Sequence, residues 1–190
     1  MKLKLLVGLG NPGPSYVVTR HNVGVWWIEA IASLFNVDWH AENKFSGKLA
    51  QITFNNEICW LLIPTTFMNL SGQAVSAFVR FHKILPESIL IAHDELSFEP
   101  GVIRFKEGGG HGGHNGLRSI ISHLHDPNFS RLRIGIGHPG HKDEVSDYVL
   151  SKPSTDEKSK IEQSINKTFS IVQDLILGNS QLVFRQLHQD

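Results

Sequence analysis

Residues 2–9 carry no polar side chain after Lys4 and stop abruptly on Gly10-Asn11-Pro12-Gly13-Pro14. A short apolar run closed by a turn cluster is the pattern of a strand buried on both faces. The same alternation continues down the chain. Residues 23–35 place Trp26, Trp27, Ala30, Ile31 and Leu34 at helical spacing. Residues 48–54 and 58–63 are two strands joined by the Asn55-Asn56-Glu57 turn, a hairpin signal. Leu70, Ala74, Phe78 and Phe81 mark a second helix after Asn69, and residues 88–93 form an apolar strand ending on Asp94-Glu95. Residues 101–106 alternate as a strand, 108–113 form a glycine loop, 117–124 a helix, and 131–136 the last clear strand. Ser154-Thr155-Asp156-Glu157 is a capping box, and Ile161, Ile165, Phe169, Val172 and Ile176 predict one long helix ending near Gly178, with a shorter helix closing the chain. Strands alternating with helices, one hairpin among them, predict an α/β single domain with a twisted mixed β-sheet surrounded by helices.

Composition excludes several classes. With 41% hydrophobic residues in 190, the chain has the means to build a core and is not disordered. A mean hydropathy of −0.12, and no apolar run near the ~18–20 residues of a membrane span, argue against a membrane protein. The single Cys59 has no internal disulfide partner, and the first residues lack a signal-peptide pattern; a reducing, cytoplasmic setting is expected.

Polar, glycine-rich clusters stand at four predicted strand or loop ends, where α/β sheets bind ligands. They are Gly10-Asn11-Pro12-Gly13, Thr65-Thr66-Phe67-Met68-Asn69, His93-Asp94-Glu95 and residues 108–115. Gly8-x-Gly10-x-x-Gly13 matches the dinucleotide fingerprint, but Pro12 and Pro14 interrupt it and no helical period follows before Val23. A nicotinamide-dependent oxidoreductase is therefore a weak alternative. No Gly-x-Ser-x-Gly elbow exists, and Cys59 sits in a strand as an inert thiol. His111-x-x-His114 and His138-x-x-His141 lie in glycine loops rather than on one rigid helix face, a poor frame for a metal.

His21 in the polar loop Thr19-Arg20-His21-Asn22 and Asp94 at a strand end form a better pair. A carboxylate that accepts one imidazole N–H leaves the other ring nitrogen free to take a proton from water. Spacing alone reads the same two residues equally as a helix-entry histidine and a strand cap. Asn11, Asn69 and Asn115 stand at element junctions, where asparagine caps or turns and where a carboxamide can also meet a developing oxyanion. The zero net charge hides an asymmetry. Between residues 101 and 142 six Lys and Arg face two acids, a local +4 balanced by −4 elsewhere. That stretch is either a solvated basic face or a grip on an anionic, nucleic-acid substrate, with a non-catalytic RNA-binding module as a further alternative.

Six ordered stretches carry a family resemblance. They are Val7-Gly8-Leu9-Gly10-Asn11-Pro12-Gly13, Thr19-Arg20-His21-Asn22-Val23-Gly24, Pro64-Thr65-Thr66-Phe67-Met68-Asn69-Leu70-Ser71-Gly72, His93-Asp94-Glu95-Leu96, the run from Gly108 through His114-Asn115-Gly116-Leu117, and Arg131-Leu132-Arg133-Ile134-Gly135-Ile136-Gly137-His138-Pro139-Gly140. Together they resemble the bacterial peptidyl-tRNA hydrolases, over most of residues 1–140. The resemblance implies a hydrolase of the ester joining a peptide to the 3′ end of tRNA, with no metal and no cofactor, acting as a monomer away from membranes. It implies His21 as base and Asp94 as its supporting carboxylate. Asn11 matches the residue that separates N-blocked from free aminoacyl-tRNA; Asn69 and Asn115 match substrate-binding positions. It further implies that Tyr16 and Phe67 line the same cleft, with Met68 and His114 as their neighbours, and Lys106 and Arg133 match the family's basic residues near tRNA phosphate.

Overall fold

The computed structural model describes residues 2–188. Its strands are β1 (Leu5–Gly8), β2 (His40–Glu42), β3 (Gly47–Phe54), β4 (Glu57–Pro64), β5 (Ile89–Glu95), β6 (Ile103–Glu107) and β7 (Ser130–Gly135). They form one seven-stranded mixed sheet in the order β2-β3-β4-β1-β5-β7-β6. The middle of the sheet is parallel: β1 pairs with β4 and β5, and β5 with β7. Its margins are antiparallel, through β2–β3, β3–β4 and β6–β7. In the β3–β4 hairpin Asn55 and Asn56 have φ of 50° and 61°, the left-handed pair that a two-residue turn demands and that asparagine tolerates best after glycine.

The helices are α1 (Val23–Leu34), α2 (Ser71–His82), α3 (Asn115–Leu124), α4 (Val145–Val149), α5 (Thr155–Lys167), α6 (Val172–Leu177) and α7 (Ser180–Leu187). On one sheet face Trp27, Ile28 and Ile31 of α1 pack with Ile161, Ile165 and Ile176 from α5 and α6. On the other, Val75 and Phe78 of α2 meet Leu117 and Ile120 of α3 over Val7 and Ile91. Each fully buried side chain of this kind contributes roughly 1.5–3 kcal/mol. A turn hydrogen bond contributes about 1 kcal/mol net, so the two apolar faces dominate stability.

Three elements differ from the sequence reading. The long carboxyl-terminal helix is broken at Thr168–Ser170, where the chain tightens into a 3-10 turn. Thr168 Oγ1 donates to the Ile165 carbonyl at 2.6 Å while accepting the Trp27 indole N–H at 3.0 Å. A tertiary hydrogen bond thus redirects a helix whose apolar period continues unbroken. β2 and α4 are too short to carry a period, and residues of β2 are all exposed.

Gly8, the first glycine of the apparent dinucleotide fingerprint, serves helix packing together with Gly24, whereas a side chain on Gly13 would meet nothing. A Cβ on Gly8 would lie 2.5 Å from the Gly24 carbonyl oxygen, and one on Gly24 would lie 2.3 Å from that of Ala92. Only without both side chains can the start of α1 rest on β1 and β5. Replacing Gly24 with Ala forces backbone apart and is expected to cost about 1–3 kcal/mol. Urea unfolding checks this: a lowered midpoint at unchanged slope is expected, and an unchanged midpoint would refute the close-packing argument.

Candidate active site

Because the central pairings are parallel, β1, β4, β5 and β7 all end at one edge of the sheet. The loops that leave them, with the start of α3, enclose a cleft of about 1020 Å³. Asn11, Tyr16, His21, Phe67, Met68, Asn69, Asp94, Lys106, His114, Asn115 and Arg133 all line it.

His21 does not sit in an open polar loop. It occupies a buried 3-10 turn, Arg20–Asn22, held by its neighbours. Arg20 donates to Ser151 Oγ at 2.7 Å, to the Lys152 carbonyl at 2.9 Å and to Glu157 at 2.8 Å, with its guanidinium 4.2 Å over the Tyr148 ring. Glu157 is also the acid of the capping box that starts α5. The turn is therefore fastened to the carboxyl-terminal helices. On its other side the Asn22 carboxamide closes a two-way bridge to the backbone of Asn11, at 2.9 and 3.0 Å.

Asp94 ends β5 and is buried. Its Oδ1 lies 2.8 Å from His21 Nδ1 and 2.8 Å from His114 Nε2. The surrounding bonds assign both tautomers. His114 caps α3: its Nδ1 accepts the backbone N–H groups of Gly116 and Leu117 at 3.1 and 3.3 Å. A nitrogen that accepts carries no proton, so His114 is neutral and donates Nε2–H to Asp94. His21 in turn donates Nδ1–H, which leaves its Nε2 lone pair free.

Electrostatics follow from this geometry. Burial opposes charge on Asp94, but His21 and His114 outweigh it and hold the carboxyl far below its ordinary range. Burial likewise pulls the His21 imidazole down, yet the charge and hydrogen bond of Asp94 prevail and leave it above its ordinary 6.5. His93, behind them, donates Nδ1–H to the Asp94 carbonyl at 2.7 Å. Burial, with His114 next in weight, lowers its pKa to about 3, so it stays neutral.

Two carboxamides are also oriented. Asn11 Oδ1 accepts the Met68 N–H at 2.7 Å, and Asn115 Oδ1 accepts from Arg118 at 3.0 Å. Each therefore presents its NH₂ as the free end. Tyr16 and Phe67 meet edge to face at 6.1 Å, and half-exposed Phe67 forms an aromatic wall.

The basic stretch is not one solvated face. Arg131 is buried, and its guanidinium donates to the Gly109 and Gly110 carbonyls, pinning the glycine loop that leads into α3. Arg133 donates through Nε to Glu95 at 2.9 Å and lies over Phe98. Lys106, like the exposed Arg118 and Lys142 of the same cleft, has no carboxylate partner among the described residues, so positive charge faces the cleft from these three and from the outer guanidinium nitrogens of Arg133.

His21 Nδ1, Asp94 Oδ1 and His114 Nε2 lie within 4.8 Å of one another, a set able to ligate a divalent cation. In the hydrogen-bonded arrangement both ring N–H groups point at the carboxylate, and a cation there would have to replace those protons. Arg20, Asn22, His93 and Arg131 were not singled out from sequence. Arg20 and Asn22 flank His21 in its motif, but no periodicity marks what a buried polar side chain reaches.

A mixed sheet with ionisable and amide groups gathered beyond its parallel strand ends defines an α/β enzyme. The match to known proteins is specific. The peptidyl-tRNA hydrolase family model matches residues 5–190. Peptidyl-tRNA hydrolase of Coxiella burnetii (strain CbuG_Q212) is 56% identical, over 98% of this chain and 97% of its own. That of Marinomonas sp. (strain MWYL1) is 53% identical, over 97% and 96%. The crystal structure of peptidyl-tRNA hydrolase from Acinetobacter baumannii superposes with a TM-score of 0.94 at 48% identity, covering 97% of this chain and 94% of that one. The chain belongs to the peptidyl-tRNA hydrolase family.

The electrostatics yield an expected pH profile. With neutral His21 as the expected base, activity should rise with pH through a midpoint above 6.5. Asp94→Asn removes the group that raises the pKa and leaves burial, which lowers it, so the midpoint should move down. The same change loosens the Nδ1–H tautomer, and the plateau rate should fall on the order of 10²–10⁴-fold. A pH–rate profile of kcat/KM checks both; an unmoved midpoint would contradict the assignment.

Proposed function

We propose that the chain hydrolyses the ester between a peptide, or an N-blocked amino acid, and the 3′ end of tRNA, through a water activated by His21 and without a covalent intermediate. The observation that carries this reading is the 2.8 Å contact from His21 Nδ1 to Asp94, which leaves Nε2 as the nitrogen of that ring able to accept a proton. An ester is activated enough for water and a positioned base to suffice. His21 takes the proton as water adds to the carbonyl carbon, then returns it to the departing ribose oxygen. The imidazolium formed between these steps is stabilised by Asp94.

The free NH₂ of Asn115, beside the positive end of α3, donates to the carbonyl oxygen as its charge grows; losing one such donor costs roughly 3–4 kcal/mol. Asn69 lines the same wall. Asn11 gives a basis for choosing blocked amines. With its oxygen taken by Met68, it presents only donors, which suit the carbonyl of a peptide bond. A free ammonium is itself only a donor and would lose water there without gaining a partner. Tyr16, Phe67 and Met68 supply apolar surface, and Lys106 and Arg133 receive phosphate.

The substrate and the lone buried thiol of Cys59, whose pKa burial pushes up to about 12, suit a cytoplasmic enzyme. Among the described residues no helix is long and apolar enough to cross a membrane.

Purified protein incubated with N-acetyl-aminoacyl-tRNA and a chelator should release free tRNA, whereas an intact ester would reject the reading. His21→Ala should lose about 10²–10⁴-fold in kcat while still binding tRNA; near-normal turnover would show that another group is the base.

A further inference from the structure

α2 and α3 pack together on one face of the sheet, and the start of α2 has no cap of its own, since the residue before it is the apolar Leu70. The first turn of a helix leaves backbone N–H groups without partners inside that helix. For the Gly72 N–H the acceptor comes from the neighbouring helix: Ser119 Oγ of α3 lies 3.0 Å away, and both residues are buried. The backbones touch there, because a Cβ on Gly72 would lie 2.2 Å from the Ser119 carbonyl oxygen. A second tie stands nearer the carboxyl-terminal ends of the two helices, where Arg80 donates to the His123 carbonyl at 3.1 Å on the exposed side.

Both helix starts open on the cleft. α2 follows directly on the 3-10 turn Met68–Leu70, which carries Asn69 and whose Met68 N–H orients the Asn11 carboxamide. α3 begins with Asn115, and its cap His114 donates to Asp94. The turn also meets α3 directly: a Cβ on Gly116 would lie 2.6 Å from Met68 Sδ. The fit of α2 against α3 therefore sets the distance between the Asn11 and Asn115 carboxamides. Of the two ties, the one from Ser119 to Gly72 stands closer to them, about one turn along from Met68 on one side and from Asn115 on the other.

We propose that Ser119 is a positioning residue for the reaction: by accepting the Gly72 N–H it holds the Asn11–Met68 contact and the start of α3 at the spacing at which one acyl group meets both. The proposal rests on the reading of the cleft as a peptidyl-tRNA esterase, in which Asn11 receives the peptide carbonyl and Asn115 the oxygen that gains charge. A blocked substrate uses both carboxamides at once, whereas a free aminoacyl ester gains only from Asn115 and His21. A shift between the two helices therefore costs the blocked substrate more, and a misplacement of about 1 Å is enough to slow a reaction greatly. Lys106 and Arg133, which receive phosphate in the same reading, stand on β6 and β7 outside this contact, so tRNA binding is spared.

Ser119→Ala leaves the Gly72 N–H without its acceptor, and Ser119→Asp supplies one again, as a carboxylate suited to a helix start. Each would be assayed on N-acetyl-aminoacyl-tRNA and on the same aminoacyl-tRNA with a free amine, with thermal unfolding measured alongside. For the blocked substrate, Ser119→Ala should lower kcat roughly ten-fold and leave KM within about two-fold. The preference for blocked over free substrate should narrow by a similar factor, and Ser119→Asp should restore both. Arg80→Gln, which cuts the outer tie, should lower the unfolding temperature without moving either kinetic readout. If Ser119→Ala does not fold, Ser119→Cys, of the same shape with a weak acceptor, makes the same comparison. A lower unfolding temperature with kcat and preference unchanged would overturn the proposal. So would an equal loss on both substrates, a loss from Arg80→Gln as large as that from Ser119→Ala, or a folded Ser119→Asp protein that restores neither readout. Failure of the unaltered protein to cleave the blocked ester would instead overturn the esterase reading, so the two failures are distinguishable.

Discussion

One carboxylate oxygen, Asp94 Oδ1, accepts two imidazole N–H groups at 2.8 Å while almost wholly removed from water. A buried charge is tolerable only when hydrogen-bonded, and one left without its partners would cost several kcal/mol. Much of the surrounding structure brings those two donors into place. His114 arrives because its other nitrogen caps α3, so a helix terminus is satisfied and a tautomer fixed by one ring. His21 arrives because the start of α1 lies directly on β1 and β5, a distance of approach set by Gly8 and Gly24. Each donor is thus aimed by a backbone element rather than by its own rotamer.

The carboxyl-terminal third contributes no residue to that hydrogen-bonded triad, yet it fixes the triad's position. Arg20 reaches Ser151, Lys152 and Glu157 from the residue next to His21, so the turn that carries His21 is clamped between the sheet and the start of α5. Glu157 serves the capping box and the arginine together. Arg131 plays a comparable part on the opposite wall, where its buried guanidinium holds the glycine loop from which α3 and His114 emerge. Two arginines thus serve as scaffolding, and the positive charge that faces the cleft comes from other residues, Lys106, Arg118 and Lys142 among them.

Sequence made the architecture legible where burial imposes a period. β1 showed as an apolar run, the β3–β4 hairpin as two strands around Asn55-Asn56, and α2 and α3 as apolar stripes. The break at Thr168 was invisible because its cause is a hydrogen bond from Trp27, distant in the chain. The site was legible as a set of loops at strand ends, and six ordered motifs marked its members. Beyond the pairing of His21 with Asp94, they could not express partnership. His114 read as a lining residue and is a helix cap bonded to Asp94. Asn22 read as part of a motif and is a bridge to Asn11. Arg131 counted toward a basic face and is internal. Each difference arises because a polar side chain's role depends on what it meets in space, which neither charge count nor spacing records.

The arrangement of protons around Asp94 is the central claim, and ¹⁵N NMR of ring-labelled histidines reads it directly. Above its titration midpoint, His21 should carry its proton on Nδ1 and show an unprotonated Nε2, with that midpoint above 6.5. Neutral His114 should show the reverse, with Nε2 protonated and Nδ1 accepting. A neutral His21 protonated at Nε2, or a His114 with its proton on Nδ1, would contradict the placement of the base.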